Sequence, residues 1–370
     1  MIRSSHHLAS AGRRAALAIA ALAMMAGVAA AVPASAATGW VLQTTANPAS
    51  GTLNVLDAVS CTSASNCIAV GNYQNSAGDS YALAERWNGS TWALQAPVTP
   101  SGDTAFFFTG VSCPTATYCI AVGVNQPTVE SSTVVAEVWN GSTWTLQSAV
   151  SPTLAWFSGV SCSSTSNCEA VGHDSAGTLA EHWNGSAWST QTVPAAVSGL
   201  SAVDCLSASF CEATNGSAEA ASWNGSTWSA QTMQTGTIFS VSCGSTSSCE
   251  AVGYLLEGRE ASPLAEHWNG STWADQTVPN TTDPGLYGVS CASTTSCTAA
   301  GVGSNSSGDG VTTAEFWNGS TWTQQSTPNP SGAEDANFQG ISCPTTAACT
   351  AVGDWYATSP SLARTLGEQD

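Results

Sequence analysis

The sequence predicts an all-β fold, a seven-bladed β-propeller of four-stranded antiparallel blades, closed by the N-terminal strand completing the C-terminal blade. Three observations carry that expectation. Seven cysteine pairs share one internal spacing, and six Trp-Asn-Gly-Ser blocks recur along the chain. The two chain ends each look like half of a missing seventh block.

The cysteines set the period. They fall as Cys61/Cys67, Cys113/Cys119, Cys162/Cys168, Cys205/Cys211, Cys243/Cys249, Cys291/Cys297 and Cys343/Cys349, with five residues inside each pair and none left over. Successive first cysteines lie 52, 49, 43, 38, 48 and 52 residues apart, which suits a four-stranded blade and not a leucine-rich unit. In the fifth unit, residues 238–243, 249–253 and 264–268 read as three short β-rich runs, and Ser271-Thr272-Trp273 opens a fourth. Asn269-Gly270 between the third and fourth runs predicts a two-residue type I′ hairpin. Equivalent blocks start at Trp87, Trp139, Trp183, Trp223, Trp268 and Trp317, each followed five positions later by Trp92, Trp144, Trp188, Trp228, Trp273 or Trp322. Asn-Gly-Ser is also a glycosylation sequon, but six copies at six turn positions point to turn geometry. Paired across a hairpin, the tryptophans are expected to pack between blades.

Closure follows from the ends. The chain stops at Leu366-Gly367-Glu368-Gln369-Asp370, a third-run pattern lacking its Trp, and Trp40-Val41-Leu42-Gln43 matches a fourth run such as Trp144-Thr145-Leu146-Gln147. One propeller domain is therefore expected over 37–370, with blades near 52–99, 104–151, 153–194, 196–234, 235–279, 283–328 and 335–370 plus 38–46. Residues 1–36 read as a signal peptide: Arg3, Arg13 and Arg14, an apolar run over 15–31, then Ala34-Ser35-Ala36 as a cleavage site. The Arg13-Arg14 pair leaves twin-arginine export open beside the general route. A secreted, extracellular protein is expected, with no membrane insertion after signal cleavage.

Charge narrows the partners. The chain has 6 Lys+Arg, all arginine, against 25 Asp+Glu. Beyond the signal only Arg86, Arg259 and Arg364 remain, so no nucleic acid is expected as a ligand. Each cysteine pair brackets a polar loop, and without recurring histidines a disulfide is the expected chemistry, not zinc. Glutamate stands two residues before the third-run Trp position at Glu85, Glu137, Glu181, Glu266, Glu315 and Glu368, with Ala221 in the fourth unit. With so few arginines, these carboxylates should accept hydrogen bonds from backbone or hydroxyl groups. A Ca²⁺ ring is the sharper alternative, although such a cage needs six to eight converging oxygens; otherwise no cofactor and no metal is expected.

The Asn-Gly-Ser-Thr-Trp block resembles the Gly-x-Thr-Trp tail of the Asp-box in sialidase-like (BNR) propellers, but tryptophan replaces the defining aspartate. The whole mature chain is similar to secreted actinobacterial Trp/Cys-rich propeller repeat proteins. That resemblance implies a propeller fold and no particular activity.

Up-and-down blades put the Cys-x5-Cys loops and Asn-Gly turns at one end and the variable connections at the other. Variation confined to one end marks the expected binding surface. It carries Tyr73, His173, Asp174, Tyr254, Arg259, Trp355 and Tyr356, with Trp156 and Tyr287 nearer the channel. The leading expectation is a non-enzymatic module recognising carbohydrate or cell-wall polysaccharide, acting as a monomer. The alternative is an extracellular protein-interaction scaffold whose acidic field selects basic partners. A glycoside hydrolase stands third, since no pair of carboxylates emerges from the repeats and the arginines are dispersed.

Overall fold

Each repeat folds into four short strands that pair antiparallel in chain order. In the second repeat these are Phe106–Thr115, Tyr118–Thr128, Ser131–Trp139 and Trp144–Gln147. Inner strands are covered on both faces by neighbouring sheets, so their apolar residues run together instead of alternating; Ile120, Ala121 and Val122 are all fully buried. The fourth strand is exposed on its outer side and shows Trp in, Thr and Leu out. The computed structural model describes residues 39–370 apart from 101–104, 129, 235, 258–259, 280–284 and 359–360. The expected signal at 1–36 lies outside the described residues, as does Arg259.

The expected count of seven separate blades is corrected. Among the described residues, five sheets are discrete four-stranded blades, and the remaining eight strands form one continuous sheet. The two last repeats merge because Gly310, opening a third strand, pairs in parallel with Asp335, the first residue of the next repeat's inner strand. The Gly310 N–H also donates to Asp335 Oδ1 at 2.9 Å. A repeat count read from cysteines therefore does not translate into a count of discrete sheets. The merged sheet includes the chain ends: Val41, Leu42 and Gln43 pair antiparallel with Gln369, Glu368 and Gly367.

The hairpin between third and fourth strands is also not the two-residue type I′ turn. Trp87 pairs directly with Trp92, leaving the four-residue loop Asn88-Gly89-Ser90-Thr91. Only the glycine takes positive φ, +93° at Gly89, a conformation that costs glycine nothing. Asn88 Oδ1 accepts the Ser90 and Thr91 N–H groups, each at 3.0 Å. The asparagine is thus an internal cap of its own loop, and the same bonds recur at Asn140, Asn184, Asn224, Asn269 and Asn318.

Consecutive repeats are tied by three rings of contacts. In the first, the N–H of each leading cysteine donates to the side chain just before the leading cysteine of the preceding repeat. Cys61 reaches Ser342, Cys113 Ser60, Cys162 Ser112, Cys205 Ser161, Cys243 Asp204, Cys291 Ser242 and Cys343 Ser290, at 2.7–3.0 Å. In the second, which is incomplete, five fourth-strand indoles donate to the glutamine of the preceding fourth strand: Trp92 to Gln43, Trp228 to Gln191, Trp273 to Gln231, Trp322 to Gln276 and Trp40 to Gln325. Those of Trp144 and Trp188 are buried without a partner. The third is apolar packing between successive sheets, including Val352 of the last repeat against Leu56, Val59 and Leu83 of the first. Ser112→Ala leaves the part-buried Cys162 N–H without its acceptor. It is expected to destabilise by ~1–2 kcal/mol in urea unfolding; a loss below ~0.3 kcal/mol would contradict the linking role.

All seven expected disulfides are formed. They join Cys61 to Cys67, Cys113 to Cys119, Cys162 to Cys168 and Cys205 to Cys211 in the first four repeats. In the last three they join Cys243 to Cys249, Cys291 to Cys297 and Cys343 to Cys349. Each bridges a first and a second strand, as in the directly paired Cys61 and Cys67, and among the described residues no cysteine is free. The second cysteine is the deeper anchor in most repeats: Cys67, Cys119, Cys168, Cys211, Cys249 and Cys297 are all at most 2% exposed. Such a set belongs to an oxidising environment. Among the described residues no helix is long and apolar enough to cross a membrane.

Candidate functional site

A bulge in the inner strands creates the axial site. Six repeats slip register four residues before the leading cysteine, at Asp57, Thr109, Ser158, Phe239, Tyr287 and Gln339. A bulged residue is freed from the ladder and its side chain re-aimed. These six, with Ser201, line an axial cavity of about 200 Å³. The bulge brings the inner strand against the second strand, which is why glycine stands there: a Cβ on Gly123 would lie 2.1 Å from the Phe107 carbonyl oxygen. Of this ring, only Tyr287 stands out in the sequence; the constant offset from the cysteine is the signal that marks the rest. Asp57 is the acidic member. Burial, reinforced by the nearby Asp354 carboxylate, raises its pKa to about 7.

The surface candidates fall into separate groups. Trp156 stacks on His173 at 5.8 Å, and Phe107 meets Trp156 edge-on at 5.6 Å. Beside them lies a cavity of about 420 Å³ lined by His173, Asp174, Ser158, Ser198, Asn215 and neighbouring residues. Tyr254 and Tyr287 both contact Phe239, at 5.6 and 5.2 Å. Trp355 and Arg364 share a smaller cavity of about 230 Å³ with Leu42, Asn47 and Pro330. Tyr356 is pushed up to about 12 by burial and by the Asp354 and Asp335 carboxylates. Tyr73 stacks on its cross-strand partner Tyr81 at 5.4 Å. Phe107 and Phe239, the residues joining these aromatics, escape sequence reasoning because each looks like ordinary strand core.

The repeated glutamates serve the framework. Glu85, Glu137, Glu181 and Glu266 are fully buried, and each accepts a backbone N–H from the linker three residues after the preceding repeat's fourth-strand glutamine. The donors are Ala46, Val98, Val150 and Gln234. The equivalent linker residues elsewhere are Pro194, Pro279 and Pro328, which have no N–H to give. After Pro194 the glutamate is replaced by Ala221, whereas after Pro328 Glu368 is retained with both oxygens buried and unpartnered. Burial raises Glu85, Glu137, Glu181, Glu266 and Glu315 from 4.5 to about 7, and Glu368 to about 8. Two further buried acids face histidines across strands: Glu169 lies 2.8 Å from His182, and Glu250 2.8 Å from His267. Among the described residues no group of three His, Cys, Asp or Glu side chains is placed to hold a metal ion.

Among the described residues, most of the remaining solvent-accessible acids sit at one end, with Asp275 on an outer strand and Asp370 beside Cys349 as exceptions. Asp79, Glu130, Asp174, Glu219, Asp309, Glu334 and Asp335 all reach solvent and all lie on connections at the variable end. At the opposite end no Cys-x5-Cys loop or Asn-Gly-Ser-Thr turn contains a charged residue, and beside them stand Arg86, bonded to Asn66, and Asp370, bonded to Cys349.

These features define a β-propeller with one acidic, aromatic-bearing end. No protein-family model matches the sequence, and no curated protein matches it. Solved structures similar to it include YCF48 bound to D1 peptide (TM-score 0.59, 13% identity, 90% of this chain and 94% of that one). YCF48 from Cyanidioschyzon merolae is similar at TM-score 0.58 and 15% identity, over 90% of this chain and 98% of that one. The WD40 repeats of RRP9 are similar at TM-score 0.61 and 9% identity, over 90% and 97%. At these identities the likeness is one of fold alone, to β-propellers in general, and none of the three ties the chain to Asp-box proteins.

Proposed function

We propose that the protein is an extracellular, non-enzymatic interaction scaffold that docks basic segments of partner proteins on its variable end. The observation that carries this reading is that, among the described residues, most solvent-accessible acids cluster at that end, whereas the Cys-x5-Cys loops and Asn-Gly-Ser-Thr turns of the other end carry none. Buried carboxylates raised to about 7 or 8 are partly to mostly protonated near pH 7, so the exposed acids on the connections carry the more complete charge presented to a partner. Electrostatic complementarity of this kind steers association and selects partners by sign. The similar structure of YCF48 bound to D1 peptide supports a peptide as a ligand class for this shape. Carbohydrate recognition, the leading expectation from sequence, gains no such support.

A tetra-arginine peptide titrated into the protein should bind at low ionic strength, with affinity falling about tenfold or more between 50 and 300 mM salt. A glutamate-rich peptide of equal length should not bind. Absence of arginine-peptide binding at low salt, or equal binding of both peptides, would overturn the proposal.

A further inference from the structure

The fourth repeat breaks the pattern that the others keep. Asn215 stands where the six other second strands have Gly71, Gly123, Gly172, Gly253, Gly301 and Gly353. Asp204 replaces the serine before the leading cysteine, and Ala221 replaces the glutamate. Its inner strand, Ala202–Ser207, starts after the position at which the others bulge, and its only register shift comes after Cys205. Without the bulge, no close approach demands glycine in the second strand, and Asn215 fits there, 2% exposed. Where the two preceding inner strands carry Phe107 and Trp156, the equivalent position here, ahead of the strand, is Gly199 with φ +75°. Local departures from an otherwise consistent pattern are where function is expected.

The result is the cavity of about 420 Å³ between the third and fourth repeats. Its lining is rich in polar residues, and two of them hold the nearby Glu219: Asn215 Nδ2 donates to Glu219 Oε2 at 2.7 Å, and Ser198 donates to the same oxygen through both N–H and hydroxyl. Those bonds, led by the Ser198 N–H, hold the Glu219 carboxyl below its ordinary range, so it is an anion. On the rim, Asp174 Oδ1 accepts the Ala176 and Gly177 N–H groups at 2.7 and 3.0 Å, which fixes this second carboxylate in place. The exposed His173 ring, backed by Trp156, forms an aromatic wall.

We propose that this cavity receives an arginine side chain of the docked partner, the guanidinium stacking on His173 and pairing with Asp174. The proposal rests on the docking function above and names its specificity pocket. Arginine suits the site better than lysine because its planar group can stack and hydrogen-bond at once, and stacked cations gain most where partly desolvated.

The test uses the full chain and the tetra-arginine peptide, followed by calorimetric titration. Asp174→Asn keeps an oxygen to cap the Ala176 and Gly177 amides, so its melting temperature should match wild type while affinity falls about tenfold. His173→Ala should cost about fivefold. Glu130→Gln and Asp309→Asn remove the same charge elsewhere on the same end and should each cost less than twofold. A tetra-lysine peptide should bind wild type about fivefold more weakly. Equal losses in all three acid variants, or equal affinity for lysine and arginine, would overturn the pocket while leaving docking intact. No binding by wild type at low salt would instead overturn the docking function itself.

Discussion

Stability is expected to fall by on the order of 5 kcal/mol as pH rises from 5 to 8, the reverse of an ordinary acid-labile protein. Glu169 and Glu212 join the repeated glutamates in being raised by burial to about 7. A carboxyl whose folded pKa exceeds its unfolded one binds a proton in the native state that the unfolded chain releases. Its burial penalty is therefore absent below about 4.5 and develops as pH climbs to the folded value, here about 7 to 8. His267 acts in the same sense: its hydrogen bond to Glu250 raises it, and that stabilisation is lost as pH rises. Glu219, lowered by its hydrogen bonds, opposes the trend only in stronger acid. Each shift taken at a fraction of its size, summed over so many groups, gives the stated magnitude. Glu368 is the sharpest single case, since the proline before it supplies no N–H and both its oxygens are unpartnered. Glu368→Gln should raise stability at pH 8 by ~2 kcal/mol relative to its effect at pH 5. Calorimetric melting across pH 4.5–8.5 checks both statements; a flat or rising profile, or an unchanged slope in the variant, would refute them.

How much of this is legible in the sequence depends on whether the signal is local. Disulfide pairing, strand order and the fourth-strand tryptophans are readable because each repeat states them in contiguous residues. The turn type is not, because Asn-Gly alone reads as a two-residue loop; the Trp87–Trp92 pairing shows that Ser90 and Thr91 belong to it too. The count of discrete blades fails for a different reason. One bridge from Gly310 to Asp335 joins two sheets, and its partners lie in segments that carry no motif. The channel ring is hidden because Asp57, Thr109, Ser158, Phe239, Tyr287 and Gln339 share a position and not a chemistry. The cavity beside His173 is half visible. His173, Asp174 and Trp156 stand out as unusual side chains, but Asn215 and Gly199 matter for what they fail to match, which only the bulge explains.

Trp40→Ala is expected to cost ~3–5 kcal/mol, as large as any single core truncation in the molecule. Trp40 precedes a strand of only three residues, Val41–Gln43, which would be marginal alone. Yet Trp40 is 5% exposed. It packs 5.8 Å from Phe338 and donates its indole N–H to Gln325 at 3.0 Å. It thereby joins the first strand's approach to the sixth and last repeats, across 285 residues for the Gln325 bond. Losing it removes apolar contact in the cluster of Ala314, Phe338, Ile341 and Leu366, and it uncovers the Gly367–Gln369 edge for pairing with other chains. Trp40→Phe keeps most of the packing and should cost ~1 kcal/mol, chiefly the hydrogen bond. Gln325→Ala should be nearly neutral on top of Trp40→Phe but not on wild type, a coupling that a double-mutant cycle in urea measures. Were Trp40→Ala to melt within ~0.5 kcal/mol of wild type, the N-terminal strand would not be part of the cooperative fold. The chain ends would then sit side by side without holding the propeller closed.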